Sequence, residues 1–243
     1  MTGSVLIVGG GSDIAEKLSK KLIESGFKVT LLVRNPENLD QELSSKVSVV
    51  VGDALSTDDL ASAIEVATAQ GEGSILGMAH LVGSILIRPP HAVKQDAFEE
   101  VIQTNLVSAF LALSLTCKSM LRTGGGRVVF TSSVAASLGL VNHEAIAAAK
   151  GGIESMVRSA AATYAQRKIR VNAVAPGLTD TKLSSNITKS EALLGAAVSM
   201  IPMKRINEPD EIAEAMFWLL TGAPDNLTGQ ILHLDGGMKH VRN

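Results

Sequence analysis

Cysteine, tyrosine and tryptophan each occur once in this 243-residue chain, phenylalanine occurs five times, and the net charge is only −2. One cysteine cannot close an internal disulfide, so the fold rests on a core and not on a covalent staple. Cys117 lies in the apolar run LALSLTCKSML and reads as a small core residue in a reducing compartment. The near balance of charge leaves no basic field to neutralise nucleic-acid phosphates or to hold an anionic membrane, so neither partner is expected. No stretch approaches 18 uninterrupted apolar residues, and the chain enters a strand within four residues, without the charged segment and cleavage site of a secretory leader. A cytoplasmic protein is expected. The five histidines are scattered with no ligand pair at the usual spacing, which disfavours a metal enzyme, and no Gly-x-Ser-x-Gly elbow marks a nucleophilic hydrolase.

What is present is the composition of a folded α/β protein: 46% hydrophobic, 19% charged, with 22 glycines. The length suits one domain over residues 1–243. Val5–Val8 is followed by Gly9-Gly10-Gly11 and then by Ile14, Leu18, Leu22 and Ile23 at helical spacing, which is a strand, a glycine turn and a helix. Further strands are read at Lys28–Val33, Val47–Val51, Ile75–Val82, Arg127–Thr131, Ile169–Ala175 and Ile231–Leu234. Between them lie helices at Asp58–Gln70, Asp96–Leu121, Ala145–Gln166 and Asp210–Leu220, the second carrying an apolar stripe of Phe98, Val101, Ile102, Leu106 and Phe110. Lys182–Arg205 breaks the rhythm as a helical excursion ended near Pro202. The alternation predicts a Rossmann-like, doubly wound and mainly parallel sheet flanked by helices.

In such sheets ligands bind beyond the carboxyl ends of the strands, where the strand order reverses. The first strand-end loop, VGGGSDIA, lets glycine backbone approach a pyrophosphate and aims a helix N-terminus at its charge, although Ala15 stands where the third fingerprint glycine would be. The alternative is glycines that serve only a tight turn. The second strand ends in Val33-Arg34-Asn35. A carboxylate there would bond a ribose 2′-hydroxyl, and an arginine inverts the preference toward a 2′-phosphate. Arg34, with Ser12, therefore favours NADP(H) over NAD(H), unless Arg34 is merely a solvated surface residue. Asp53, ending the third strand, is placed either to bond an adenine amino group or to cap the next helix.

These residues, with Asn105 in TNLVSAF, Ser132-Ser133, Lys150, NAVAPGLTDT at 172–181 and GQILHLDGG at 229–237, resemble in order and spacing a short-chain dehydrogenase/reductase over essentially the whole chain. The resemblance implies cofactor contacts from Gly9, Gly11, Ser12, Asp13, Ile14, Arg34, Asp53, Ala54, His80, Gly83 and Lys150. It adds Pro176, Gly177, Leu178 and Thr179 at the nicotinamide carboxamide and Thr181 at the pyrophosphate. Ser133, 17 residues before Lys150, would position the substrate, Lys150 would hold the nicotinamide ribose, and Asn105 would join the proton relay. The family's tyrosine, four residues before the lysine, donates the proton. Ile146 occupies that place, and isoleucine transfers no proton.

A second pattern is similar to the divergent enoyl-acyl-carrier-protein reductases, whose tyrosine stands seven residues before the lysine. That position here is His143, preceded by Asn142, and His80-Leu81-Val82-Gly83 and Ile14-Ala15 resemble segments of the same branch. Ser133 and Asn105 fit the common branch better. His143 is the candidate acid, since an imidazole is a competent proton donor, the alternative being a histidine at the pocket rim without a proton-transfer role. His80 is read as lining the cofactor cleft. The excursion at 182–205 resembles the family's substrate lid, and its Met200, Ile201, Met203 and alanines suggest an apolar or amphipathic substrate.

The leading expectation is an NADP(H)-dependent oxidoreductase acting on a small carbonyl or enoyl substrate, with NAD(H) still open. A catalytically inactive NADP(H)-binding sensor or subunit is the alternative, and isomerase or dehydratase chemistry on a bound cofactor is a third. The resemblance also implies a homo-oligomer, a dimer or tetramer formed through the long helices. The small residues Ala160–Ala162 would allow close helix packing there.

Overall fold

The computed structural model describes residues 3–242. Seven parallel strands form one sheet: β1 (Ser4–Val8), β2 (Lys28–Val33), β3 (Ser48–Val51), β4 (Gly77–His80), β5 (Gly126–Thr131), β6 (Ile169–Pro176) and β7 (Ile231–Leu234). Their order is β3-β2-β1-β4-β5-β6-β7. The chain builds outward from β1 to β3, then returns to β4 on the other side of β1. The strand order therefore reverses between β1 and β4, and a crevice opens beyond their carboxyl ends.

Because successive side chains of a strand face opposite ways, each strand feeds two cores. Leu6, Val8, Met78, Val128 and Phe130 pack on one face beneath α3 (Thr57–Gln70), α5 (Ser108–Thr123) and α6 (Glu144–Tyr164). Val5, Ile7, Leu31, Ala79, Val129 and Val174 pack on the other beneath α1 (Asp13–Glu24) and α9 (Pro209–Thr221). With both faces covered, the strands read as unbroken apolar runs, which is why the sequence located them. α2 (Gln41–Lys46), capped by the Asp40 carboxylate on Leu43 N–H, is a short exposed turn that the periodicity did not reveal.

The helix expected at 96–121 is three segments: α4 (Gln95–Ile102), a π turn at Gln103–Val107, and α5, which ends on Gly124 in the left-handed region at φ 97°. The run from 95 to 123 has the length and hydropathy of a membrane-crossing helix. Ala109, Ala112, Leu113, Cys117 and Met120 are nevertheless buried in the core, as in a core helix of a globular domain. Burial pushes the Cys117 thiol up to about 12, so it is an inert core group. Phe98 and Phe110, expected on the apolar stripe, stand 40% and 58% exposed. Ala160 and Ala161 are buried in the chain's own fold, so the small residues at 160–162 do not form one free face.

The excursion comprises a 3₁₀ turn at Lys182–Ser184, α7 (Ser185–Thr188) and α8 (Glu191–Ser199), followed by a turn at Pro202. Each end is tied down. Asp13 at the start of α1 accepts from Lys182 N–H at 2.7 Å, and Arg205 grips Glu211 of α9 through two bonds of 2.6 and 2.7 Å.

Candidate active site

One cleft of about 880 Å³ lies beyond the carboxyl ends of the strands, at the upper end of the size range of small-molecule sites. One end is built by the first βα turn. Gly9 sits at φ 89°, where a Cβ would come within 2.8 Å of the Leu81 and Val82 backbone, so only glycine lets the loop pass this close to the end of β4. A Cβ on Gly11, by contrast, would meet nothing within 4 Å: its backbone faces open cleft, a cradle that a diphosphate fits. Ser12 Oγ caps α1 by accepting from Ala15 N–H at 3.2 Å. Ile14, Arg34, Asp53 and Ala54 also line this end, Arg34 exposed and without a carboxylate partner among the described residues. Asp53 does not cap α3, whose N-cap is Ser56; one Asp53 carboxylate oxygen accepts from Leu55 N–H at 2.9 Å in the turn before that helix.

At the other end the π turn swings Asn105 inward. Its amide donates to the Val101 carbonyl, which a regular helix would pair with the Asn105 N–H, and to Ser84 Oγ, while its oxygen accepts from Ser84 N–H. Asn105 thus fastens the loop after β4 to α4. Gly83 leaves room for it, since a Cβ there would stand 3.2 Å from Asn105 Oδ1 and 3.6 Å from Lys150 Nζ. Lys150 is buried on α6 and donates to the Thr131 carbonyl at the end of β5 at 2.9 Å. That is its one hydrogen bond among the described residues, so two ammonium donors remain. No carboxylate among the described residues pairs with it, and burial pushes the ammonium down to about 8. Ser133 accepts from Ala135 N–H at 3.2 Å and keeps its own hydroxyl proton for the cleft, which it lines.

Ile146 does more than vacate the family's tyrosine position. It is 5% exposed, lines the cleft and packs with Val101, Ala135, Ala149 and Leu140, so the place of the usual acid is filled by hydrocarbon. Tyr164 cannot stand in: it lies 14 residues beyond Lys150 along α6, about 21 Å at 1.5 Å per residue. His143 is half-buried, immediately precedes α6 and lines the cleft. Its Nδ1–H donates to the Val141 carbonyl at 2.7 Å, leaving Nε2 as the unengaged ring nitrogen.

His80 is the expectation the structure corrects. It has no exposed surface and does not line the cleft; as the last residue of β4 its ring is turned into the core, where Nε2–H donates to Ser108 Oγ at 3.1 Å while that hydroxyl donates to the Thr104 carbonyl. Nδ1 has no partner. Burial first, and then the Lys150 charge, push the ring down to about 3, so it stays neutral.

Asp13 also lines the cleft, but its carboxylate is engaged by Lys182. Pro176, Gly177, Leu178, Thr179 and Thr181 line it on the far side, pinned by Asn207, whose main chain bonds Leu178 and Asp180 and whose amide donates to Leu234 O. Asn207, Ser84 and Lys182 escaped the sequence reading, because each acts through partners distant in the chain. Ile85 and Ile87 left a readable signal as large aliphatics beside a Pro-Pro loop.

A family model described as enoyl-(acyl carrier protein) reductase matches residues 8–239. Carbonyl reductase family member 4 of Danio rerio is 32% identical over 247 residues, covering 98% of this chain and 99% of its own length. The 3-oxoacyl-[acyl-carrier-protein] reductase MabA of Mycobacterium tuberculosis strain H37Rv is 30% identical over 97% of this chain and 92% of its own. A solved short-chain type dehydrogenase/reductase from Mycobacterium ulcerans superposes with a TM-score of 0.93, at 29% identity, over 100% of this chain and 93% of that one. Likeness of this extent in sequence and in fold makes the chain a member of the short-chain dehydrogenase/reductase family of oxidoreductases.

Proposed function

We propose that this protein binds NADP(H) and transfers hydride between the nicotinamide and an apolar or amphipathic carbonyl or enoyl substrate, without a tyrosine acid. The observation that carries the reading is the convergence of Lys150, Ser133 and the glycine loop on one cleft whose other basic lining includes Arg34. The cofactor, when bound, supplies the hydride. Arg34, exposed and unpaired with any carboxylate among the described residues, is free to meet a 2′-phosphate. Lys150 offers two unengaged donors to the nicotinamide ribose, and the Ser133 hydroxyl orients the substrate oxygen.

His143 delivers the proton from Nε2. Because Nδ1–H is committed to Val141 O, the ring can donate at Nε2 only as the imidazolium. Ile146 and the aliphatic residues Ile85, Ile87, Leu140 and Val141 suit a substrate with an apolar body. MabA and the carbonyl reductase are named for reactions of this type, which supports the reading by relationship. The exposed Phe98 and Phe110 are consistent with a homo-oligomer, dimer or tetramer, and the single buried thiol with a cytoplasmic protein.

The test is NADPH and NADH oxidation with panels of ketones and enoyl thioesters. We expect turnover above a Lys150→Ala control and a preference for NADPH that Arg34→Gln abolishes. His143→Asn should lower the rate about a hundredfold, the low end for loss of a general acid. Tight NADPH binding without turnover by any substrate would favour the second reading, a cofactor-binding sensor or subunit, for which the hydrocarbon at Ile146 speaks. An unchanged rate in His143→Asn would move proton donation to water.

A further inference from the structure

Among the described residues three cationic side chains other than histidine line the cleft: Arg34, Lys150 and Lys182. Their places follow the strand order. Arg34 follows β2, Lys150 is bonded to the end of β5, and Lys182 is tied to the first residue of α1, directly after β1 and its glycine turn. Since β1 lies between β2 and the β4–β5 pair, Lys182 stands between the other two cations. An extended dinucleotide that spans from Arg34 to Lys150 must pass its diphosphate over this point.

The tether has two parts of unequal strength. Lys182 N–H donates to Asp13 Oδ2 at 2.7 Å, a charge-assisted bond that fixes the backbone. The ammonium stands 3.6 Å from Asp13 Oδ1 on a side chain that is 78% exposed, a contact worth little in water and easily exchanged. The main chain is held while the charge is free to turn into the cleft.

Resting on the cofactor reading above, we propose that Lys182 binds the diphosphate of the dinucleotide and that Asp13 is the positioning residue that holds it over the glycine loop. Asp13 thereby joins the stem of the 182–205 segment to the nucleotide end of the cleft. In the ligand-free protein the ammonium stands loosely beside Asp13; with nucleotide present, Lys182 bridges the carboxylate and the phosphates.

Two measurements test this without relying on turnover. The first is fluorescence titration with NADPH, set beside competition by adenosine 2′-monophosphate, which carries the 2′-phosphate and no diphosphate. Lys182→Met should weaken NADPH about tenfold, the loss of one charge-assisted contact, and leave adenosine 2′-monophosphate unchanged. Lys182→Arg should restore NADPH binding to within about twofold of wild type, because the cation is kept. Unchanged NADPH affinity in Lys182→Met overturns the proposal. So does equal weakening of both ligands, which would put Lys182 at the 2′-phosphate. Wild-type protein that binds neither ligand defeats the cofactor reading itself.

The second is tryptic cleavage of the ligand-free protein after Lys189 and Lys204. Asp13→Ala should accelerate it several-fold by freeing the stem, whereas Asp13→Asn, which keeps an acceptor for Lys182 N–H, should not. Equal rates in wild type and Asp13→Ala overturn the positioning role of Asp13 and leave the titration to judge Lys182.

Discussion

The nucleotide end of the cleft is lined by main chain and charge: Gly9, Gly11, Ser12, Arg34, Asp53, and the Asp13–Lys182 pair. At the other end stand Ile85, Ile87, Leu140, Val141, Ile146, Met200 and Ile201, with His143 as the titratable side chain among them. Backbone donors and fixed charges suit a ligand whose phosphates are always present, and they act through short, directional bonds. An aliphatic wall gives no such directions. It selects by burial, at roughly 25 cal/mol per Å² of apolar surface, and tolerates many substrates of similar shape. Lys150 and Ser133 lie at the seam, one carrying charge and the other a directed hydroxyl. The missing tyrosine falls wholly in the aliphatic half, so its loss alters the proton path without touching the means of holding the nucleotide.

Three changes probe this contrast, in descending order of effect. Lys150→Met acts at the seam. It should lower kcat/KM by between about a hundred- and ten-thousandfold, the range for a group at the centre of proton transfer and orientation. Its nucleotide affinity should fall as well, and a loss of kcat alone would show that Lys150 serves the chemistry and not the ribose.

Gly9→Ala attacks the nucleotide half alone. With φ at 89° and backbone 2.8 Å from the new Cβ, it should cost about 2–3 kcal/mol of stability and abolish measurable NADPH binding. Urea unfolding and fluorescence titration measure both, and a wild-type unfolding midpoint would show that the turn relaxes freely.

The smallest effect lies beneath both halves, at His80. Its folded value of about 3 is below the ordinary 6.5, so the unfolded chain takes up the proton first and the folded protein loses stability as pH falls from about 6.5 toward 3. Between pH 7 and pH 5 this amounts to about 2 kcal/mol, or roughly 4–8 °C in Tm for a protein of this size. His80→Asn should remove that part of the pH dependence. Parallel curves for variant and wild type by calorimetry would refute it.

Much of the fold was legible because a parallel sheet covered on both faces writes itself into the sequence as short apolar runs separated by helical periods. β2 and β7 have the bounds read from the sequence, and the others differ only at their ends. The π turn at 103–107 was not legible, since π and α turns share nearly the same apolar spacing and the distinction lies in which carbonyl each N–H finds. His80 was read as facing the cleft on the strength of its place at a strand end. Alternation put it on the core side instead, where α5 supplies Ser108.

The sequence by itself determined the order of the strands and helices along the chain, the glycine turn, and which chemical groups are offered: Arg34 and Ser133 at strand ends, Lys150 and the hydrocarbon of Ile146 on the helix after β5. These are local matters, set by side-chain periodicity and backbone freedom within a few residues. Only the tertiary structure decided which of those groups meet. Lys182 and Asp13 are 169 residues apart in the chain and bonded in the fold, and Asn105 reaches Ser84 across 21. Such contacts depend on the spatial order β3-β2-β1-β4-β5-β6-β7, which no local pattern encodes because it is fixed by how the whole set of helices covers the sheet.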